Sequence, residues 1–367
     1  MDKINVPLFN PIVTEEMKKS LIRTLENDFF VLGKTVKSFE DSFSQYIGTK
    51  YAVSTSSGTN ALHLCLESFG IKGKEVITTP ATFIATSNSI IHAGGKPVFV
   101  DINYETNTID PNKIEEVITE KTAGILPVHL YGFPCKMDKI NKIAEKHGIF
   151  VLEDACQAHG SEFMNKKIGS LGMAGCFSFY STKNITVCGD GGMVTTNNAS
   201  LYEMISKLRN CGRKEQYIHD VIGYTSRLNS INAAIGIEQL KLLEMWNSRK
   251  VEIANLYRES LDGVGDLMLP PTITGGKIAY HLYVIKTKKR NKLKLYLEKK
   301  GIGCGVYYPI PIHLQPAYSQ YRFRVGDFPK AELLCERNLA IPISPQMTNE
   351  DVEYVIANIK HFFKNEL

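Results

Sequence analysis

The chain has 367 residues, 43% of them hydrophobic and 22% charged, which is enough to bury a core in about two or three domains. Its formal net charge of +5 is small for this length, and no run of Lys and Arg is dense enough to predict a nucleic-acid partner. No stretch reaches the roughly 18 consecutive apolar residues of a membrane span, so we expect neither nucleic acid nor a membrane as a partner.

Residues 51–196 alternate short apolar runs with segments of helical spacing. The apolar runs predict buried strands at residues 75–79, 97–101, 123–128, 149–154, 177–180 and 192–196. The helical spacing predicts helices at residues 61–69, 85–93, 110–118 and 136–147. This alternation predicts an α/β fold with a mostly parallel sheet and helices on both of its faces.

The second half of the chain begins with a long amphipathic helix, predicted at residues 232–249 and leading on into residues 251–261. Gly and Pro then cluster at residues 263–276 and mark a boundary. The remainder predicts a smaller α+β unit, with strands at residues 279–285 and 303–308 and helices at residues 291–300 and 351–363. We therefore predict a large domain at residues 1–250 and a small C-terminal domain at residues 251–367.

The cysteines and the N-terminus indicate the compartment. No two of the eight cysteines form a C-x-x-C pair, so we expect reduced thiols and no metal site at Cys65, Cys135, Cys156, Cys176, Cys188, Cys211, Cys304 or Cys335. The first twenty residues lack the apolar run of a signal peptide. We expect a cytoplasmic protein.

The first candidate site segment is STSSGTN at residues 54–60, which follows a short strand and opens a predicted helix. The first N–H groups of a helix have no partners within it, so small residues here suit a phosphate-binding turn. An ordinary N-cap turn has the same composition. The segment alone does not distinguish the two interpretations.

A carboxylate follows the very apolar strand predicted at residues 149–154. Ligands of open α/β sheets bind at the carboxyl ends of the strands, and Asp154 stands at such an end. A buried carboxylate needs a partner because an unpaired charge in a core is costly, and a protonated pyridine nitrogen would serve. A helix N-cap is the competing interpretation of this Asp.

Lys183 follows another predicted strand and stands between hydroxyl residues and the glycine-rich residues 189–192. A lysine held out of water there has the lowered pKa that an amine needs to form an imine with an aldehyde. An exposed loop lysine is the alternative. The ordered set of phosphate turn, aromatic Phe83, Asp154, Ser178 and Lys183 favours the imine.

Together these motifs resemble the DegT/StrS family of nucleotide-sugar aminotransferases, enzymes that depend on pyridoxal 5'-phosphate (PLP) and have the aspartate-aminotransferase fold, fold type I. The resemblance covers residues 6–363. Its blocks are SSGTNAL, PATFIAT, ILPVHLYG, EDACQAHG, FSFYSTKN, GDGGMVTT, AAIGIEQL and YYPIPIHLQPAY. It implies a large PLP-binding domain around a mostly parallel sheet and a smaller α+β C-terminal domain.

The resemblance implies a role for each matching residue. Lys183 would bind PLP as a Schiff base and later move the proton. Asp154 would pair with the pyridinium nitrogen, Gln157 would lie near the ring hydroxyl, and Phe83 would stack on the ring. The phosphate would be held by the Gly58 and Thr59 amides and the Ser178 hydroxyl.

One block departs from the family pattern. The family carries Gly-x-Asn-x-Arg before the long helix, with the Asn reaching the phosphate in the partner subunit of a homodimer. This chain has Thr225 at the position of the Asn, followed by Arg227. Thr225 can still donate a hydrogen bond but has a shorter reach, and Arg227 could carry more of the contact. Structural use of both residues at the dimer surface is the alternative.

The C-terminal block 306–315 would overhang the active site, which makes Tyr308 and His313 candidate substrate contacts. The sequence of this block resembles members that act on 3-keto sugars more than those that act on 4-keto sugars. A packed turn histidine is the alternative for His313.

The predicted function is transamination of a nucleotide-linked keto sugar with L-glutamate as donor, giving an amino sugar for surface polysaccharide or natural-product glycosylation. The alternatives are a PLP-dependent dehydratase, which carries His where Lys183 stands, and a non-catalytic regulatory homologue. A desulfurase needs a mobile Cys, for which Cys188 is the nearest candidate. The sugar and its nucleotide (dTDP, UDP or GDP) stay open.

Overall fold

The computed structural model describes residues 5–365; residues 1–4 and 366–367, at the outer ends of the two predicted domains, lie outside the described residues. The α-helices are α1 Glu15–Asn27, α2 Lys34–Ile47, α3 Gly58–Ser68, α4 Ala85–His92, α5 Met137–His147, α6 Ala199–Leu208, α7 Ser230–Leu261, α8 Arg290–Lys299, α9 Pro329–Arg337 and α10 Asn349–Asn365. No helix in the described range is both long enough and apolar enough to cross a bilayer.

The strands follow in chain order as β1 Tyr51–Thr55, β2 Glu75–Thr78, β3 Lys96–Phe99, β4 Thr122–Ile125, β5 Phe150–Asp154, β6 Glu162–Phe163, β7 Lys166–Lys167, β8 Ala174–Ser178, β9 Gly192–Thr196, β10 Arg213–Glu215, β11 Ile218–His219, β12 Gly276–Lys277, β13 Tyr283–Lys286 and β14 Asn338–Ile341. Seven of them form the central sheet in the order β1-β9-β8-β5-β4-β2-β3. Both antiparallel pairs of this sheet involve β9, which runs opposite to β1 and β8, and the other pairs are parallel. The predicted mostly parallel α/β sheet is confirmed.

Both faces of the central sheet are covered, which explains the continuous apolar runs of its strands. In β8, Phe177 packs on one face with Phe43 of α2 and Leu243 of α7. Its neighbour Cys176 packs on the opposite face with Leu62 of α3. Since successive strand residues point to opposite faces, each residue of the run has an apolar environment.

Helix α7 links the large and small parts of the protein. It runs unbroken for 32 residues from the cap at Asn229, whose side chain accepts a hydrogen bond from Asn232 N–H at 2.8 Å. Leu243 packs in the core beneath the sheet, whereas Tyr257 packs in a separate core with α8, α10, β13 and β14. The helix thus crosses the predicted division at residue 250, which stays a prediction.

Two of the predicted elements are wrong, and a third begins four residues later than predicted. Residues 110–118 form two short 3₁₀ turns, Pro111–Lys113 and Glu115–Val117, because their N–H groups bond to the carbonyl three residues earlier. The strand predicted from residue 279 begins only at Tyr283, since Tyr280 has a φ of 44°. Residues 303–308 make a single bridge, Gly305 with Ala340, and Tyr307 N–H then donates to the Asn338 side chain.

Candidate active site

A cavity of about 540 Å³ lies where the chain leaves the carboxyl ends of β5 and β8 and enters α3. Parallel strands that end at one edge of a sheet bring residues distant in sequence together there. Eight of the predicted site residues line this cavity: Gly58, Thr59, Phe83, Asp154, Gln157, Ser178, Lys183 and Tyr308. The strand-end motifs of the sequence therefore converge on one site.

The loop that carries Lys183 is held from behind by a buried polar network. Asn184, the next residue, donates from its side-chain amide to Asn247 Oδ1 and to the Ala279 carbonyl, both at 2.8 Å. The Lys250 amine donates to Asn184 Oδ1 at 3.1 Å. The network ties the loop to α7 and to the segment before β13, so the backbone of Lys183 has a fixed position.

Burial lowers the pKa of the Lys183 amine from its ordinary value, against the opposing influence of Cys156 and Asp154. Burial penalises the ammonium form, so a larger fraction of the amine is neutral and nucleophilic near neutral pH. This is the property that the sequence predicted for a lysine held between hydroxyls and glycines.

Lys250 is the nearest rival to Lys183 among the lysines. Burial lowers the pKa of Lys250 to about 7. Its amine, however, donates to the Tyr280 carbonyl at 3.2 Å as well as to Asn184, and it does not line the 540 Å³ cavity. Of these two amines, only that of Lys183, which is half-buried, faces the cavity.

Asp154 ends β5 and is 5% exposed. Its Oδ1 accepts a hydrogen bond from Cys156 N–H at 3.2 Å, and its Oδ2 accepts one from the Thr86 hydroxyl at 2.8 Å. The preceding Glu153 points to the other face, where it accepts backbone hydrogen bonds from Gly169 and Leu171 at 2.9 and 2.7 Å. Glu153 thus anchors the strand end while Asp154 lines the cavity.

The turn before α3 provides a cradle of backbone amides. Ser57 caps the helix, and its hydroxyl accepts a hydrogen bond from Asn60 N–H at 3.2 Å. A Cβ on Gly58 would lie 2.7 Å from Ser178 Cβ and 2.9 Å from Cys156 Sγ. Only glycine fits this close approach, which brings the helix N-terminus next to the predicted phosphate ligand Ser178.

Phe83, Gln157 and Tyr308 line the cavity together. The Phe83 ring, 51% exposed as a residue, lies 5.6 Å from the ring of Tyr308. Gln157 accepts a hydrogen bond from Tyr131 N–H at 2.8 Å and donates to the Tyr308 hydroxyl at 3.4 Å. The amide of Gln157 is therefore oriented before any ligand binds.

The residues present fit PLP. An amine of lowered pKa, a buried carboxylate, an aromatic ring and a helix N-terminus that admits only glycine are the groups needed for its aldehyde, pyridine nitrogen, ring and phosphate. In the described residues 5–365, no cluster of His, Cys, Asp and Glu suits a metal ion.

Three predicted site residues, Thr225, Arg227 and His313, lie outside the cavity. Thr225 is exposed and its hydroxyl is 3.4 Å from Cys211 Sγ, while Arg227 donates to Asn210 Oδ1 at 3.0 Å. Their predicted contact with a partner subunit stays a prediction.

His313 is buried, with Nε2 3.1 Å from Glu332 Oε1 and its ring 4.8 Å from that of Phe328. The side chain is packed in a turn and does not line the cavity, and its predicted substrate contact stays a prediction. Ile312–Leu314 forms a 3₁₀ turn, which turns the imidazole toward α9.

Sequence reasoning missed several residues that line the cavity: Thr82, Thr86, Cys156, Tyr180, Asp190, His281 and Tyr307. Thr86 carried a usable signal. It stands at the start of the helix predicted at residues 85–93, three residues after Phe83, and residues three apart in a helical turn are neighbours. His281 lay inside a predicted strand and carried no signal of its own. Its buried environment lowers its pKa well below the ordinary value, so the imidazole is neutral.

The sequence model of the DegT/DnrJ/EryC1/StrS aminotransferase family matches residues 11–360. The dTDP-3-amino-3,6-dideoxy-alpha-D-galactopyranose transaminase of Aneurinibacillus thermoaerophilus is 39% identical over 350 residues, which are 95% of each chain. A pleiotropic regulatory protein of Geobacillus stearothermophilus is 39% identical over 370 residues, covering 99% of this chain and 100% of that one.

The same fold occurs in solved structures of sugar aminotransferases. The crystal structure of S. venezuelae DesV in complex with ketimine intermediate superimposes with a TM-score of 0.93. The two chains are 36% identical, and the match covers 95% of this chain and 94% of DesV. The predicted mostly parallel sheet with helices on both faces is therefore the fold of a known group of enzymes.

Proposed function

The chain belongs to the DegT/DnrJ/EryC1/StrS aminotransferase family and is a PLP-dependent aminotransferase, and we propose that it transfers the amino group of L-glutamate to a nucleotide-linked 3-keto sugar. The observation that carries the proposal is that Lys183 and Asp154 face one cavity that also contains the cradle of α3. The amine, the carboxylate and the cradle lie together as a PLP enzyme requires.

When bound, PLP supplies a carbonyl carbon that exchanges amino groups and a ring that accepts an electron pair. The proposed task of Lys183 is to take a proton at Nζ from the donor carbon and to return one to the sugar carbon. Asp154 holds a proton on the ring nitrogen, since a buried carboxylate stabilises a nearby cation. Phe83, which lines the cavity, would cover one face of the ring and exclude water.

The phosphate would lie at the N-terminus of α3. The Gly58 and Thr59 amides have no partners within the helix and are free to donate to an anion. Ser178 adds a hydroxyl from the end of β8. These residues would hold the phosphate of the cofactor in the cavity.

Two observations favour a 3-keto sugar. The YYPIPIHLQ block at residues 307–315 resembles members that act on 3-keto sugars, and the relative from Aneurinibacillus thermoaerophilus is named for a 3-amino-3,6-dideoxy sugar. We include a 6-deoxyhexose in the proposal for the same reason. The product would be an amino sugar for surface polysaccharide or natural-product glycosylation, made in the cytoplasm.

A homodimer with composite active sites is part of the proposal. Among the described residues, Lys183 is the one Lys or Arg that lines the 540 Å³ cavity, which also contains two carboxylates, Asp154 and Asp190. A nucleotide diphosphate needs further positive charge. Arg227, which lies outside the cavity of its own chain, would provide part of it to the partner subunit.

The alternatives are weaker. The dehydratase members carry His at the position of Lys183, and dehydration is therefore not favoured. A regulatory role has support in the name of the Geobacillus stearothermophilus relative. An intact lysine, carboxylate and cradle nevertheless favour catalysis, because a regulator without chemistry has no use for an amine of lowered pKa.

The test uses a panel of nucleotide-linked sugars with the keto group at C3 or C4, with glutamate as donor. We expect ping-pong kinetics, release of 2-oxoglutarate, and a 3-amino product from the 3-keto sugars. The same keto sugar without its nucleotide should react poorly, since the binding energy that positions it is missing. Activity confined to small 2-oxo acids would overturn the nucleotide-sugar proposal and leave the aminotransferase assignment intact.

A further inference from the structure

The Asp154 carboxylate depends on a side chain that no motif assigned to the site. Asp154 is 5% exposed, so its two oxygens have little access to water. One oxygen accepts from the Cys156 backbone at 3.2 Å, and the other accepts from the Thr86 hydroxyl at 2.8 Å. Thr86 is itself 1% exposed. The shorter of the two hydrogen bonds, and the one made by a side chain, therefore comes from Thr86.

The direction of this hydrogen bond fixes the direction of a second one. An ionised carboxylate only accepts, so Thr86 must donate its single hydroxyl proton to Asp154. The Thr86 oxygen is also 3.0 Å from the Thr82 hydroxyl. Because the proton of Thr86 is already committed, Thr82 is the donor in that contact. The order is Thr82 to Thr86 to Asp154.

The position of Thr86 couples two parts of the proposed PLP site. Thr86 lies in the first turn of α4, and its N–H donates to the Phe83 carbonyl at 3.1 Å. Its side chain reaches Asp154 at the end of β5, 68 residues away in sequence. The backbone of Thr86 thus fixes the ring-covering residue, and its hydroxyl fixes the carboxylate.

We infer that Thr86, supported by Thr82, is a positioning residue that holds the Asp154 carboxylate in the orientation needed to pair with the ring nitrogen of PLP. The inference rests on the proposed role of Asp154. A carboxylate held at one oxygen by a side chain and at the other by a backbone N–H cannot rotate about its terminal bond without breaking both hydrogen bonds. Without the Thr86 hydroxyl, one buried oxygen is left without its short donor.

A purely structural hydroxyl would predict a different result. Thr78 provides the matched case: it is fully buried on β2 and donates to the Leu126 carbonyl, also at 2.8 Å. Thr78 does not line the cavity. Removing either hydroxyl should lower the stability, whereas only removal of the Thr86 hydroxyl should change the properties of bound PLP.

The experiment compares Thr86→Val, Thr86→Ser and Thr78→Val with the wild-type holoenzyme. The readouts are the pH dependence of the visible absorbance of bound PLP, the dissociation constant of PLP, and kcat separately from KM. Valine keeps the shape of threonine and removes the hydroxyl; serine keeps the hydroxyl. Thr86→Ala removes the same group if valine is not accommodated.

We expect Thr86→Val to lower kcat by about 10- to 100-fold, the range of one hydrogen bond to a charged group. The absorbance titration should move in the same direction as in Asp154→Asn. Thr86→Ser should restore the wild-type titration, Thr82→Val should give a smaller shift, and Thr78→Val should give none. Adding Thr86→Val to Asp154→Asn should cause little further loss, since Thr86 acts through Asp154.

Two results would overturn the inference and can be told apart. If Thr86→Val matches Thr78→Val in titration and kcat while Asp154→Asn is impaired, Thr86 has no positioning role and the proposed role of Asp154 stands. If Asp154→Asn itself has the wild-type titration and rate, the proposed role of Asp154 fails, and the inference about Thr86 fails with it.

Discussion

The residues at the ends of the sheet strands and the residues of the outer segment, residues 223–227 before α7, differ in how the chain holds them. Asp154 and Lys183 lie at or just after the carboxyl ends of neighbouring strands, and each is fixed by hydrogen bonds within this chain, through Thr86 and Asn184. Thr225 and Arg227 lie outside the cavity, and Thr225 is exposed. One chain thus holds its own cofactor-binding groups, but its Thr225 and Arg227 do not line its own cavity.

This difference separates the residues proposed to act on the cofactor from those proposed to bind the substrate. Groups that must meet PLP within a few tenths of an ångström stand on rigid strand ends, where the sheet determines their positions. The residues proposed to bind a bulky, charged substrate from a second subunit, Thr225 and Arg227, stand on the outer segment. The variants below act on one side of this division or on the other, and the largest effects are expected at the strand ends.

Asp154→Asn should lower kcat by about 10²- to 10⁴-fold, because a neutral amide no longer stabilises a proton on the ring nitrogen. The side chain keeps its shape and can still accept from Thr86, so the fold should survive. Steady-state kinetics measure the loss, and thermal denaturation provides the control. A near-normal rate would mean that Asp154 only caps the turn to Cys156. It would contradict the expectation that the largest effects on activity arise at the strand ends.

Mixed subunits test whether the outer segments act across a dimer. Lys183→Ala and Arg227→Ala homodimers should each be impaired, whereas their heterodimer contains one site with intact Lys183 from one chain and intact Arg227 from the other. Random mixing of two-fold dimers should then restore about one quarter of the wild-type rate. No recovery in a confirmed heterodimer, or an active monomer, would contradict composite sites.

The lowered pKa of Lys183 predicts the pH dependence of PLP binding. Burial penalises the ammonium form, so the neutral amine becomes available as the pH rises through a value below the ordinary 10.5. The rate at which the apo-protein binds PLP should rise with pH and reach half its maximum below pH 10.5. Stopped-flow absorbance provides the rates. A midpoint at or above the ordinary value would remove the argument that burial activates this amine.

His313→Ala should have the smallest effect on activity, because His313 packs against Glu332 and Phe328 outside the cavity. The loss of its buried hydrogen bond should lower the free energy of unfolding by about 1–3 kcal/mol and leave KM for the sugar nearly unchanged. Tyr308→Phe, which alters the cavity wall, provides the comparison and should change KM. A large rise in KM for His313→Ala alone would indicate that His313 contacts the substrate.

Much of the fold and the cofactor side of the site could be predicted from sequence. Strand–helix alternation determines that the residues after β5 and β8 meet at one edge, so Asp154 and Lys183 were predictable as neighbours. Tyr280 and residues 303–308 were not, since their backbone is set by a positive φ and by the Asn338 side chain. Apolar patterning carries no information about either feature.

The part of the site that sequence could not provide is the part that depends on contacts between distant side chains. The fate of His313 depends on Glu332, 19 residues later, and the support of Asp154 depends on Thr86, 68 residues earlier. Thr225 and Arg227 depend on a second chain in the proposed homodimer. Periodicity places residues on faces of elements, but it does not specify which polar groups meet across them.

The assignment of the cavity to PLP chemistry is tested most directly by reducing the PLP-loaded protein with borohydride and mapping the modified peptide by mass spectrometry. The cofactor should be found on the peptide that contains Lys183, whose amine faces the cavity of Asp154 and the α3 cradle. Lys250, more buried than Lys183 and bonded to Asn184 and Tyr280, should stay unmodified. Modification of Lys250 or of another lysine, with Lys183 unchanged, would contradict the site described above.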